Sequence, residues 1–333
     1  MTSKERVIVR LEGKPVDKIP NMNIAMGLVA KGAGVSYREY VQDYRKLVEG
    51  NLVCAERFGF DAVSVISDPM REASAYGAAV NFPEDGVPYS KPCLLEAGFD
   101  LTKVKIVDPL ESPRTLDRIK GVELLRQRVL QDYPVIGWVE GVLAETADLR
   151  GVSALMMDLM EEEDQLTELM DLIYTQQCRF AAEQVKAGAD FIGVGNAVAS
   201  LIGPELYEKY AFKYDKALVN YIQSLGAKVK LHICGNITSL LSLLRQVAPD
   251  ILDIDWMVNF REAALMFEGT KTRVSGNMDP VAVMLQGDAA LVEREVMACA
   301  SVKDVFVAAG CEVPAATPET NLYLMDKLLY KAQ

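Results

Sequence analysis

The sequence predicts an α/β barrel of eight strand–helix units, and three observations lead there. Short β-branched runs ending near Gly, Asn or Asp recur along the 333 residues, with amphipathic stretches of helical length between most of them. Most of these runs are apolar until their last residues, where an acid, amide, His or Cys appears. That is the pattern of a barrel whose working face lies at the strand C-termini. No linker, low-complexity segment or fixed-period repeat interrupts the chain, so residues 1–333 read as one domain with additions.

In chain order the expected strands are 19–26 ("IPNMNIAM"), 62–69 ("AVSVISDP"), 135–142 ("VIGWVEGV") and 191–197 ("FIGVGNA"). They continue with 228–235 ("KVKLHICG"), 251–257 ("ILDIDWM"), 273–279 ("RVSGNMD") and 305–311 ("VFVAAGC"). Helical periods cover 36–59, 204–226 and 288–301, and the second of these carries Pro204 at its start and Gly226 past its end. Residues 70–114 hold Pro, Gly and short apolar pieces without a period. They read as an insertion after the second strand, a lid or a hairpin. Residues 143–188 are helical almost throughout, more than one barrel helix needs.

Half the residues are hydrophobic and a quarter charged, the composition of an ordinary globular protein. The net charge of −12, from 47 acidic against 35 basic residues, argues against nucleic acid and anionic membrane surfaces as partners. The charged N-terminal stretch lacks the apolar segment of a signal peptide, and six cysteines in so long a chain do not suggest a disulfide scaffold. The cytoplasm is the expected compartment.

The expected strand ends carry Asp68, Glu140, Asn196, His232 with Cys234, Asp253 with Asp255, Asn277 with Asp279, and Cys311. His232 is the sole histidine. A lone His on an apolar strand is usually a packed core residue, and a buried Cys a small hydrophobe. However, His232 and Cys234 are i, i+2 on a strand and therefore face the same way, into the barrel if Leu231 and Ile233 face the helices. An imidazole and a thiolate suit zinc, and Cys311 at another strand end supplies a third ligand. Three protein ligands with one open position is the catalytic zinc pattern. Asp255 is a candidate to close that position reversibly.

With those residues in place, the chain resembles the uroporphyrinogen decarboxylase superfamily over nearly its whole length, and within it the corrinoid-linked methyltransferases. The segments carrying the resemblance are "GKPVDKIP", "GFDAVSVISDP", "GWVEGVLAETADLRG", "AGADFIGVGNA", "LHICGN", "SGNMDP" and "AAGCEVPAATPETN". The resemblance implies a TIM barrel and zinc on His232, Cys234 and Cys311. It also implies methyl transfer between methylcobalamin, carried by a corrinoid protein, and a small thiol such as coenzyme M. A similar layout in cobalamin-independent methionine synthases favours Asp255 as the fourth ligand, with Asp253 and Glu140 as alternatives. Asp68, which resembles the decarboxylase's catalytic Asp, and Glu140 are expected to be catalytic. Asn196 and Asn277 are expected to hold the cofactor. The competing readings are a decarboxylase-like lyase, or a methyltransferase that loads the corrinoid from a small C1 donor. The decarboxylase's N-terminal Arg motif is missing, since residues 11–35 contain no Arg.

Overall fold

The computed structural model describes residues 1–161 and 163–332, so Glu162 and Gln333 of the expected 1–333 domain lie outside the described residues. Among the described residues, seven parallel strands pair strictly in chain order: β1 (Val63–Ser64), β2 (Val135–Glu140), β3 (Phe191–Gly195), β4 (Lys228–Ile233), β5 (Ile251–Ile254), β6 (Arg273–Met278) and β7 (Phe306–Ala309). Helices intervene between successive strands, as parallel pairing requires, and the sheet curls into a TIM-barrel type of α/β fold. The expected first strand, 19–26, is reduced to a single bridge. Asn21 pairs in parallel with Val307 of β7, and its carbonyl accepts from Asp61 N at 2.8 Å just before β1. This segment fills the gap between the first and last strands, but Pro20 interrupts any longer ladder.

Alternation along the strands sorts the core into two layers. Leu231 and Ile233 join the large cluster between sheet and helices. The barrel interior instead holds Ile136, Trp138, Phe191, Ile251 and Phe306. Val7 and Leu11, from the helix Ser3–Leu11, belong to the same interior cluster. Gly193 sits beside Trp138 on the paired strand, and a Cβ there would lie 2.1 Å from the indole ring. The glycines of "GVGNA" therefore make room for an aromatic plug.

The helical stretch 36–59 divides into Tyr37–Gln42 and Tyr44–Phe58. Asp43 is extended at the break, and its carboxylate accepts from Arg45 N, capping the second helix. Residues 143–188 form Val142–Arg150, Val152–Glu161 and Glu163–Lys186. After β1 come the helix Met70–Tyr76, an antiparallel bridge between Asn81 and Tyr89, a short turn at Leu101–Lys103 and the helix Pro113–Val129. Among the described residues, no helix is long and apolar enough to cross a membrane.

Candidate metal centre and adjoining cavity

Register links one row of inward residues, Glu140, Gly195, His232, Asp253, Ser275 and Phe306, as successive partners across β2 to β7, running from the C-terminal ends of β2 and β3 down to the start of β7. Cys234 lies just beyond His232 at the end of β4, and Cys311 just beyond β7. The separation from His232 Nε2 to Cys234 Sγ is 3.0 Å, and from Cys234 Sγ to Cys311 Sγ 3.3 Å. One ligand atom from each of the three lies within 4.8 Å of the others, with His232 buried and both cysteines half-buried. Gly310 permits this approach, because a Cβ there would fall 2.4 Å from Trp256 N and 2.9 Å from the Asp255 carbonyl carbon.

Asp253 fixes which ring nitrogen faces the sulfurs. Its Oδ2 lies 2.9 Å from His232 Nδ1 and 2.6 Å from Lys230 Nζ, deep inside the barrel where Lys230 and Asp253 are each 1% exposed. Burial pulls the His232 pKa down, but hydrogen bonding and charge from Asp253 and Cys311 outweigh it and hold the ring at about 9. Of the two thiols, Cys311 is the more acidic. The hydrogen bond from Cys234 lowers it first, with His232 adding to the effect, and Cys234 is raised correspondingly.

The donor set fits zinc. It offers one imidazole nitrogen and two sulfurs, with a carboxylate behind the imidazole as in many zinc sites. A tetrahedron with metal–sulfur bonds of about 2.3 Å has sulfur–sulfur edges of about 3.7 Å, so the cysteine pair needs only a small opening to bind. The other cysteines are remote from such chemistry: burial pushes Cys54 up to about 12 and Cys178 up to about 11.

Asp255 stands close enough for its charge to raise Cys234, yet it is not one of the three clustered ligands. Its Oδ2 accepts from Gly235 N at 3.0 Å and its Oδ1 from Met257 N at 3.1 Å. Asn277 braces the same turn, donating Nδ2 to the carbonyls of Asp255 (3.1 Å) and Val258 (2.6 Å). It does not line the cavity beside His232.

That cavity, about 260 Å³, brings together His232, Asp68, Glu140, Asp148, Asn196 and Arg71 within a mainly apolar wall that includes Met26, Val87 and Trp138. Asp68 Oδ2 accepts from Ser67 Oγ at 2.8 Å and pairs with Arg114 Nη2 at 2.5 Å. Glu140 Oε1 accepts from Arg71 Nη2 at 2.9 Å, and burial raises its pKa. Asn196 gives both possible bonds from Nδ2 to Asp215, at 2.9 and 3.0 Å, so its donor end belongs to the fold. Arg71 and Arg114 were not legible as site residues. Both lie on helices after β1, and the available signal was Arg71 placed three residues after Asp68 in "DPMR".

A curled parallel sheet with a His/Cys/Cys cluster and an acidic cavity on its C-terminal rim is the layout of a barrel enzyme. The chain belongs to the uroporphyrinogen decarboxylase (URO-D) family, whose sequence pattern matches residues 2–330. Among curated relatives, a methylcobamide:CoM methyltransferase of Methanosarcina mazei is 29% identical over 97% of this chain and 96% of its own length. A uroporphyrinogen decarboxylase of Citrifermentans bemidjiense is 23% identical over 94% of this chain and 95% of its own. Among solved structures, a methyltransferase from Methanosarcina mazei matches with a TM-score of 0.90 at 23% identity, covering 99% of both chains. A B12-independent methionine synthase from Shewanella sp. W3-18-1 matches at 0.59 and 12% identity, over 95% of both. These structural likenesses establish the shared fold.

Proposed function

We propose that this protein is a zinc-dependent methyltransferase that moves a methyl group between a corrinoid and a small thiol. The observation that carries the reading is the convergence of His232 Nε2 and the two sulfurs of Cys234 and Cys311 at the barrel rim. Zinc held there would deprotonate an incoming thiol at neutral pH and keep its sulfur nucleophilic. Two thiolates and one imidazole balance the charge of the ion, while Asp253 holds the imidazole in the ligating tautomer. Asp255, beside Cys234, would be the reversible fourth ligand, leaving its backbone donors Gly235 and Met257 to close the site when no thiol is bound.

The thiolate then attacks the methyl carbon of a methyl-corrinoid in line. A sulfur–carbon bond forms, the cobalt–carbon bond breaks, and its electron pair stays on cobalt as Co(I). A groove of about 920 Å³ runs past Gly27, Tyr37 and Glu312 and meets the cavity at Val87, which suits the approach of a large planar cofactor presented by a corrinoid protein. The segment after β1, which supplies Val87, acts as the cover of this entrance. Asp68 and Glu140 orient the acceptor within the cavity, whose wall includes Asn196. Coenzyme M, named for the Methanosarcina relative, is the precedent for the acceptor.

The competing decarboxylase reading requires cations for a polycarboxylate, whereas Arg71, the Arg of the cavity wall, is paired with Glu140. The test is methylcobalamin demethylation with an added thiol, followed by the change in corrinoid absorbance. Wild-type protein should turn over and His232→Ala should lose at least about 100-fold, the order of effect expected when an activating group is removed. Equal rates for the two proteins would show that His232 holds no catalytic zinc.

A further inference from the structure

Cys311 is the candidate metal ligand with the least support from the sheet. His232 lies within β4 and Cys234 directly follows it, whereas Cys311 stands two residues past the end of β7. The backbone bond before it runs from Gly310 N to the Met278 carbonyl at 2.7 Å, and the one after it from Val313 N to the Ile24 carbonyl at 2.8 Å. Between these two, Glu312 supplies the tie. Its Oε1 accepts from Gly27 N at 2.8 Å and from Met26 N at 3.1 Å, and its own N–H donates to the Cys311 sulfur.

The segment on the other side of the tie belongs to the site. Met26 is part of the cavity wall beside His232, while Gly27 and Glu312 line the larger groove. Gly27 N opens the helix Gly27–Gly32 and has no acceptor within it, so the carboxylate satisfies a donor left over by the helix itself. Gly27 also keeps the two segments close: a Cβ there would lie 3.2 Å from the Ala315 Cβ, on the same turn as Glu312. Metal–ligand distances tolerate errors of only about 0.2 Å, so a cysteine outside the strand ladder needs such a brace. We infer that Glu312 is a positioning residue of the metal centre, its carboxylate clamping the Cys311 turn to Met26 and Gly27 so that the third sulfur stays within reach of the other two ligands. The inference rests on the zinc reading for the metal and on these hydrogen bonds alone for the clamp.

The test compares Glu312→Gln, Glu312→Asp and Glu312→Ala. Gln keeps the reach and an acceptor oxygen, Asp keeps the charge but is one methylene short, and Ala removes both. Zinc affinity is read by competition with a chromophoric chelator, and the thiolate-to-metal bands of the cobalt(II)-loaded protein report how many sulfurs bind, with Cys311→Ser as the one-sulfur reference. Gln should stay within about threefold of wild type. Asp and Ala should bind at least about tenfold more weakly, with cobalt bands falling toward the reference. Hydrogen exchange of the metal-free proteins reads the clamp without metal: the Met26 and Gly27 amides should exchange at least about tenfold faster in Ala than in Gln. Wild-type zinc affinity in the Ala variant overturns the positioning role and leaves the metal reading standing. Gln as weak as Ala overturns it too, by assigning the effect to charge. Faster exchange in Ala, with no zinc held by wild type, supports the clamp and overturns the metal reading.

Discussion

Asp253 shows how much of the centre is decided one atom behind the metal ligands. Two acids in "ILDIDW" point into the barrel, and sequence order alone does not separate their roles. Register does: Asp253 is the direct partner of His232 across β4 and β5, and Lys230 holds its carboxylate from below. Asp253→Asn should therefore keep the fold and weaken zinc by about 10–100-fold in competition with a chromophoric chelator. Unchanged affinity would reduce Asp253 to a packing role. Asp255→Ala should keep zinc but hold it less tightly, and a variant indistinguishable from wild type would place the fourth ligand elsewhere. The His232 and Cys234 pair was legible because i, i+2 spacing on a strand settles a shared face without knowledge of the fold, whereas Cys311 entered only as a cysteine at another strand end. The engaged ends of Asn196 and Asn277 were not, since their partners Asp215 and Val258 come from other elements.

At the scale of elements, strand ends were legible where apolar alternation stops, and strand lengths were not. The run 62–69 keeps two ladder residues, Val63 and Ser64, because its later residues leave the sheet to form the cavity wall. The helix break at Asp43 follows from capping chemistry, which competes locally with an otherwise continuous helical period. β3 shows the opposite constraint: Gly193 is required by the bulk of Trp138 on β2. Gly193→Ala should cost about 1–3 kcal/mol in denaturant unfolding through overpacking. Restoration by a smaller residue at Trp138 would identify the clash as the cause, and an unaffected midpoint for Gly193→Ala would contradict it.

Across the whole molecule, the fold gathers acid at the rim while closing the barrel from below. The charged N-terminal segment, read only as lacking a signal peptide's apolar run, sends Val7 and Leu11 into the barrel interior, and its Arg6 pairs with buried Asp61 at 2.6 Å. That helix was open to a sequence reading, through the Thr2–Glu5 capping box at its start and the apolar spacing of Val7 and Leu11. The buried rim acids also shape stability. Burial, followed by the opposing charge of Arg71 and the repulsion of Glu140, leaves Glu72 raised from 4.5 to about 8. The folded form therefore retains a proton that the unfolded chain has lost, and stability falls as pH rises between those values. Glu72→Gln should flatten that decline in unfolding midpoints measured from pH 5 to 8, and an unaltered slope would assign the decline to other groups.

The chemistry of the rim turns on whether the His232, Cys234 and Cys311 cluster is a zinc site that activates a thiol. X-ray absorption at the zinc edge, on protein expressed with zinc and then mixed with an acceptor thiol, tests it most directly. About one zinc per chain is expected, with one nitrogen and two sulfur neighbours, rising to three sulfurs when thiol is added. Less than about 0.1 zinc per chain, or a shell without sulfur, would contradict it.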